Sequence, residues 1–337
     1  MFSGITRRAR APLIVVALLA LAAQPVAAQQ KLVVYSSNED TLHNVVFPAF
    51  RAETGTTIEP VSAGSGVIIK RIHAEKEQPR GDVVWGISRQ LLEANKALFA
   101  PYVPTSAAAI EPQHREAAGL WTGTNLHVLV ILQNTQKIPP DQGPRSWADL
   151  LDAKWKGQIA FTDPANSGSA FTTLTMLVDL WGGGDAGLAK VRQLLANCRV
   201  LNRSSLVFQG VGNGEYPLAI SLEYAGYVWA SHGAPVETIY PRDGTVVQME
   251  GVAILKGGPD VAPAKAFTEY VTRKDIRETI LKATFRRPTR RDLALSQLPG
   301  KMPELKDLKL LAYDEDGWNA KRAQTLETFK DLIQATR

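Results

Sequence analysis

Three segments of this chain place serine, in two of them beside glycine, where a strand-like pattern gives way to a helix-like one: Ser36-Ser37-Asn38, Ser65-Gly66 and Ser167-Gly168-Ser169. The first N–H groups of a helix lack internal partners, and the helix dipole is positive at that end. A phosphate, phosphonate or carboxylate therefore finds donors there without a formal charge. Glycine admits a close backbone approach, and serine adds a hydroxyl donor. Ordinary capping also places serine at helix starts. Three such loops at strand ends, where α/β folds bind ligands, point to an anion site.

A second group of residues supplies different chemistry. Glu223-Tyr224, followed by Tyr227 and Trp229, offers a carboxylate beside aromatic rings, suited to an ammonium or to sugar hydroxyls. Trp85 is a candidate pocket wall, and Arg287, next to Arg286, offers a planar fork for phosphate oxygens. Catalytic signatures fail. Gly210-Val211-Gly212-Asn213-Gly214 has neither dinucleotide spacing nor a strand pattern before it, and residues 64–70 are misspaced for a Walker loop. His43, His73, His114, His127 and His232 show no zinc spacing, and no GxSxG or Ser/His/Asp set is present. No cofactor or catalytic residue is expected.

The elements that must position these residues read as alternating strands and helices. Residues 31–37, 58–62 and 81–86 predict strands; residues 41–53, stopped by Gly55, and 67–76 predict helices. This alternation argues for parallel pairing in the first part of the chain. Residues 124–133 are almost continuously β-type and suit a crossing between lobes. A short helix capped by Ser146, strands at 157–161, 218–221 and 246–255, and a helix at 170–181 follow. From residue 263 the pattern is helical, ending in 320–335. The 337 residues allow two lobes, with expected divisions of 29–125 plus 250–295, 126–249, and C-terminal helices at 296–337.

Arg7, Arg8 and Arg10 precede an apolar run over 13–23 and the small-residue site Val26-Ala27-Ala28. This pattern predicts a cleaved secretory signal over 1–28, with the mature protein in the periplasm. Its removal takes the 38 basic residues to 35, against 33 acidic ones, so a nucleic-acid partner is not expected. Cys198 is the sole cysteine and leaves stability to packing.

The segments Leu32-Val33-Val34-Tyr35-Ser36-Ser37, Gly81-Asp82-Val83-Val84-Trp85-Gly86, Asp163-Pro164 with Ser167-Gly168-Ser169, residues 251–257 and Arg287-Pro288 occur in a consistent order. In these the chain resembles the periplasmic solute-binding proteins of ABC importers, in the branch of ferric-ion, 2-aminoethylphosphonate and phosphosugar binders. The resemblance implies a two-lobed type II periplasmic binding fold of mixed α/β sheets with crossing hinge strands. It also implies a small anionic solute in the cleft and a membrane permease as partner to a monomer. Ferric binders carry adjacent tyrosines where this chain has Glu223-Tyr224 and then Tyr227. A phosphorylated or phosphonate solute is therefore expected. A ferric carrier using Tyr224 as an iron ligand and a secreted phosphoesterase are the alternatives.

Overall fold

The computed structural model describes residues 30–293 and 299–336, together with Met1 and Gly4. Apart from Met1 and Gly4, the expected leader lies outside the described residues. No helix among them is long and apolar enough to cross a membrane.

The chain begins β1 (Lys31–Ser36), α1 (Asp40–Thr54), β2 (Thr57–Ser62), α2 (Ser65–Ala74), β3 (Val83–Ser88), α3 (Arg89–Ala94) and β4 (Phe99–Ala100). The long β5 (Thr122–Asn134) leads to β6 (Ile159–Thr162), α4 (Gly168–Leu180), α5 (Gly184–Asn197), β7 (Cys198–Leu201), α6 (Ser204–Gly212), β8 (Leu218–Leu222), α7 (Glu223–Ser231) and β9 (Val236–Ile239). The return is β10 (Val247–Leu255), α8 (Val261–Thr272), α9 (Lys274–Thr284) and β11 (Arg287–Pro288), then α10 (Glu315–Ala320) and α11 (Arg322–Gln334).

The strand order is β2-β1-β3-β10-β5-β8-β6-β7, with β4 on β10 and both β9 and β11 on β5. Within each half the pairs are parallel: β1 with β2 and β3, and β6 with β7 and β8. Antiparallel β10 and β5 join them. The first residues of β5 pair with β10, and Leu129 to Gln133 pair with β8. The expected crossing strand is thus the element shared by both halves.

Period-two alternation divides each half into two cores. Leu32, Val34 and Trp85 meet Phe50, Phe267 and Tyr270 of α1 and α8, whereas Tyr35, Val84 and Ile87 meet Ile68, Ile69 and Ile72 of α2. On β5, Leu129 and Ile131 face α4 and α11, while Val128, Val130 and Leu132 face α6 and α7. Phe329 of α11 lies edge-on to Phe171 at 6.2 Å, so the last helix belongs to the second core.

Three sequence expectations shift. The third strand lies two residues later than 81–86, because Asp82 is used as a brace: its carboxylate accepts the Val33 and Asp260 N–H groups at 2.8 and 2.7 Å. The helical pattern after residue 263 breaks at Phe285, in the left-handed region with φ 56°. Arg287, held extended by the proline that follows it, then pairs with Leu126. Finally α5, β7 and α6 fill a stretch for which no element was expected.

Phe329→Ala is expected to lower the unfolding free energy by about 3–5 kcal/mol, the usual cost of emptying an aromatic core site. Urea denaturation measures it, and a loss below about 1 kcal/mol would mean that α11 is only loosely docked.

Candidate functional site

Because the pairs in each half are parallel, the turns from strand to helix gather at the carboxyl edges, where the two halves face each other. Between them lies a cavity of about 540 Å³. One wall is made by Ser37, Asn38 and Glu39 before α1 and by Ser65 opening α2. The other is made by Ser167 and Ser169 of α4, Arg203, Ser204 and Ser205 of α6, and Tyr224 of α7. The floor is Ser88 of β3, His127 of β5, and Gln248 and Glu250 of β10.

The second wall is rich in donors. Ser167 caps α4 by accepting the Ala170 N–H at 3.3 Å; its hydroxyl also meets Ser169 at 2.9 Å and Ser204 at 3.2 Å. The starts of α2, α6 and α7 have no side-chain cap, and residues at all three starts line the cavity. Arg203 stands at the mouth, exposed, with no side-chain hydrogen bond or ion pair among the described residues.

The acidic groups, in contrast, are mostly answered from within. Glu39 is ion-paired to buried Arg286 and accepts the Tyr224 hydroxyl. The Arg286 guanidinium lies 3.8 Å from the Tyr224 ring centroid, so ring, carboxylate and cation form one stack. Burial, with Glu39 adding to it, pushes the Tyr224 phenol well above its ordinary value. Glu250 accepts from Asn125 at 2.7 Å and lies 2.8 Å from His127 Nε2. Burial alone would raise its carboxyl, but His127, Arg286 and Asn125 together hold it below the ordinary range. Asp40 keeps an almost fully solvated carboxylate at the rim.

The halves touch on both sides of the cavity. Tyr224 meets Glu39 on one; on the other, the Gly66 N–H donates to Asn166 O at 3.1 Å. A Cβ on Gly64 or Gly66 would stand 2.3 Å from a carbonyl oxygen of Asn166 or Ala165, so only glycine permits this approach. A Cβ on Gly168 would likewise strike Ser88 Oγ at 2.3 Å.

Of the sequence candidates, the fold brings Ser37, Asn38, Ser65, Ser167, Ser169 and Tyr224 to the cavity. Ser36 lies behind it, accepting the Asn38 N–H and contacting His43, while Gly66 and Gly168 contribute backbone. Trp85 is placed in the core against Phe47 and Phe267, because β3 turns it away from the cleft. Glu223 and Arg287 are taken up by each other. Arg287 Nε and Nη2 donate to the two carboxylate oxygens at 2.7 Å, and Tyr240 adds a third bond. One helical step separates Glu223 from Tyr224, which turns the carboxylate away when the phenol faces the cavity. Arg203, Ser204, Ser205, His127, Gln248 and Glu250 were not anticipated at the site; the Asn202-Arg203-Ser204-Ser205 run was the one available signal.

Residues 86–321 match the model of the bacterial extracellular solute-binding protein family. The chain belongs to this family. A Fe(3+)-binding periplasmic protein of Serratia marcescens is 26% identical over 325 residues, 94% of this chain and 95% of that one. A putative 2-aminoethylphosphonate-binding periplasmic protein of Salmonella typhimurium is 28% identical over 191 residues, 55% of each chain. The fold is that of the periplasmic binding protein AfuA from Actinobacillus pleuropneumoniae, solved with fructose-6-phosphate bound. That likeness has a TM-score of 0.82 and 25% identity, covering 91% of this chain and 99% of AfuA. The two-lobed type II fold of these binding proteins is therefore that of this family member as well.

The depressed Glu250 carboxyl has a pH signature. Its contribution to stability is present above the unfolded-state pKa and is lost as pH falls through the lower folded value. Urea midpoints of the native protein are expected to drop between pH 7 and pH 3 by more than those of Glu250→Gln. Equal drops in both would remove Glu250 from the linkage.

Proposed function

We propose that this protein is a periplasmic receptor that binds a small phosphorylated or phosphonate solute between its lobes and delivers it to an ABC permease. The observation carrying the proposal is the second wall. An unpaired Arg203, the Ser167-Ser169-Ser204 hydroxyl cluster and the uncapped start of α6 adjoin one cavity. This combination of fixed dipoles, neutral hydroxyls and one cation suits a tetrahedral oxyanion. The family match and the AfuA likeness support a solute-binding role. Closure over the solute, by contacts that both lobes complete, gives the permease a shape to read.

Ferric iron fits the cavity less well. Among the described residues Tyr224 is the one tyrosine lining it, and its phenol, already donating to Glu39, is raised away from the phenolate that Fe(III) prefers. Tyr227 instead donates to Lys301 O at 3.0 Å.

A thermal-shift panel of phosphonates, sugar phosphates, phosphoglycerates and ferric citrate tests this reading, since a ligand of the folded state raises the melting point by mass action. Phosphorylated compounds are expected to stabilise the protein. Arg203→Ala is expected to weaken their binding by about 1.5–3 kcal/mol, the range for a charged hydrogen bond. Stabilisation by ferric citrate alone, with a visible charge-transfer colour lost in Tyr224→Phe, would overturn it.

A further inference from the structure

The organic part of the solute is constrained by the cavity floor. A zwitterionic solute such as an aminophosphonate needs an anion with no internal partner to meet its ammonium. The two carboxylates at the floor and inner wall do not supply one. Glu39 is engaged by Arg286 and Tyr224, and Glu250 by Asn125 and His127, with buried Arg277 and Arg286 adding positive potential. Asp40 is open to solvent at the rim, with its side chain 94% exposed, where water weakens any ion pair.

What the floor does hold is unused hydrogen-bonding capacity. Gln248 Oε1, Ser88 Oγ and His127 Nδ1 are buried polar atoms with no hydrogen-bond partner among the described residues. Their residues are 5%, 1% and 2% exposed, and all three line the cavity. Gln248 and Ser88 also lie against Gly168 at the start of α4, so they adjoin the oxyanion wall. Buried polar groups of this kind demand partners, and a ligand hydroxyl both donates and accepts. At about 540 Å³ the cavity has several times the room that a phosphate or a two-carbon phosphonate fills.

We infer that the solute is a phosphate ester with a neutral body bearing several hydroxyls, and that Gln248 and Ser88 are specificity-determining residues that read the hydroxyls nearest the phosphate. This rests on the function proposed above and narrows it. A site built to bond a hydroxyl discriminates strongly against an analogue that lacks it, because its own buried groups are then left unpaired.

Titration calorimetry on the full protein, with fructose 6-phosphate, inorganic phosphate and 2-aminoethylphosphonate as probes, tests the inference. The sugar phosphate is expected to bind at least about tenfold more tightly than the other two, one good hydrogen bond's worth. Gln248→Met and Ser88→Ala should each remove most of that preference, lowering affinity for fructose 6-phosphate more than for inorganic phosphate. Gln248→Glu adds a carboxylate at the cavity floor and should shift the preference toward 2-aminoethylphosphonate; this gain cannot arise from misfolding. Tighter binding of 2-aminoethylphosphonate by the native protein, or equal losses for phosphate and sugar phosphate in Gln248→Met, would overturn the inference and leave the phosphate receptor standing. Absence of binding by all three probes would overturn both.

Discussion

A helix that follows a parallel strand must start at that strand's carboxyl edge, and its first N–H groups have no partner inside the helix. The site depends on this. Parallel pairing of β1 with β2 and β3 and of β6 with β7 and β8 leaves each half with a row of helix starts along one edge. The antiparallel β5 and β10 then turn the two rows toward each other. The cavity is donor-rich because of backbone geometry; the serines, the glycines and Arg203 refine it.

Charge in this cleft is managed by buried arginines. Arg286 and Arg287 are both about 1% exposed, and each has a glutamate, Glu39 or Glu223, to answer it. A buried guanidinium without its carboxylate would be strongly destabilising, so these pairs fix where the segment after α9 must lie. The two pairs differ in what they span. Arg287 and Glu223 lock β11 onto the start of α7, whereas Arg286 and Glu39 share their contact with Tyr224 and bring the cleft edges together.

Much of this was legible in the sequence because the near-continuous β-type runs of β1 and β5 and the helical spacing of α1 are strong local signals. The Ser-rich loops could be found for the same reason: a strand pattern ends and a helix pattern begins around them. Facing was less legible. Glu223 and Tyr224 are adjacent in the sequence, and which of them looks into the cleft is set by the turn of α7 against β8. Trp85 shows the same limit, since a buried strand has two covered faces and only the packed sheet says which borders a pocket. Arg203 was hidden because β7, Cys198-Arg199-Val200-Leu201, is a short, half-exposed edge strand without an apolar run to announce it. Gln248, Glu250 and His127 come from crossing strands, and their meeting is a matter of register between distant segments.

The order of strands also sets an order of events. Val83 of β3 pairs with Ile254 of β10, and Phe267 and Tyr270 of α8 close the core under β1. The first half of the molecule therefore stays an unfinished sheet, with an open strand edge, until the chain has been made almost to its last helices. The second half draws its strands from one continuous stretch between β5 and β9 and closes much shorter loops. In a chain emerging from its amino end, the later lobe can have its sheet complete while the earlier one is still waiting for β10, and the later lobe's core is sealed last, when α11 brings in Phe329 and Ile333.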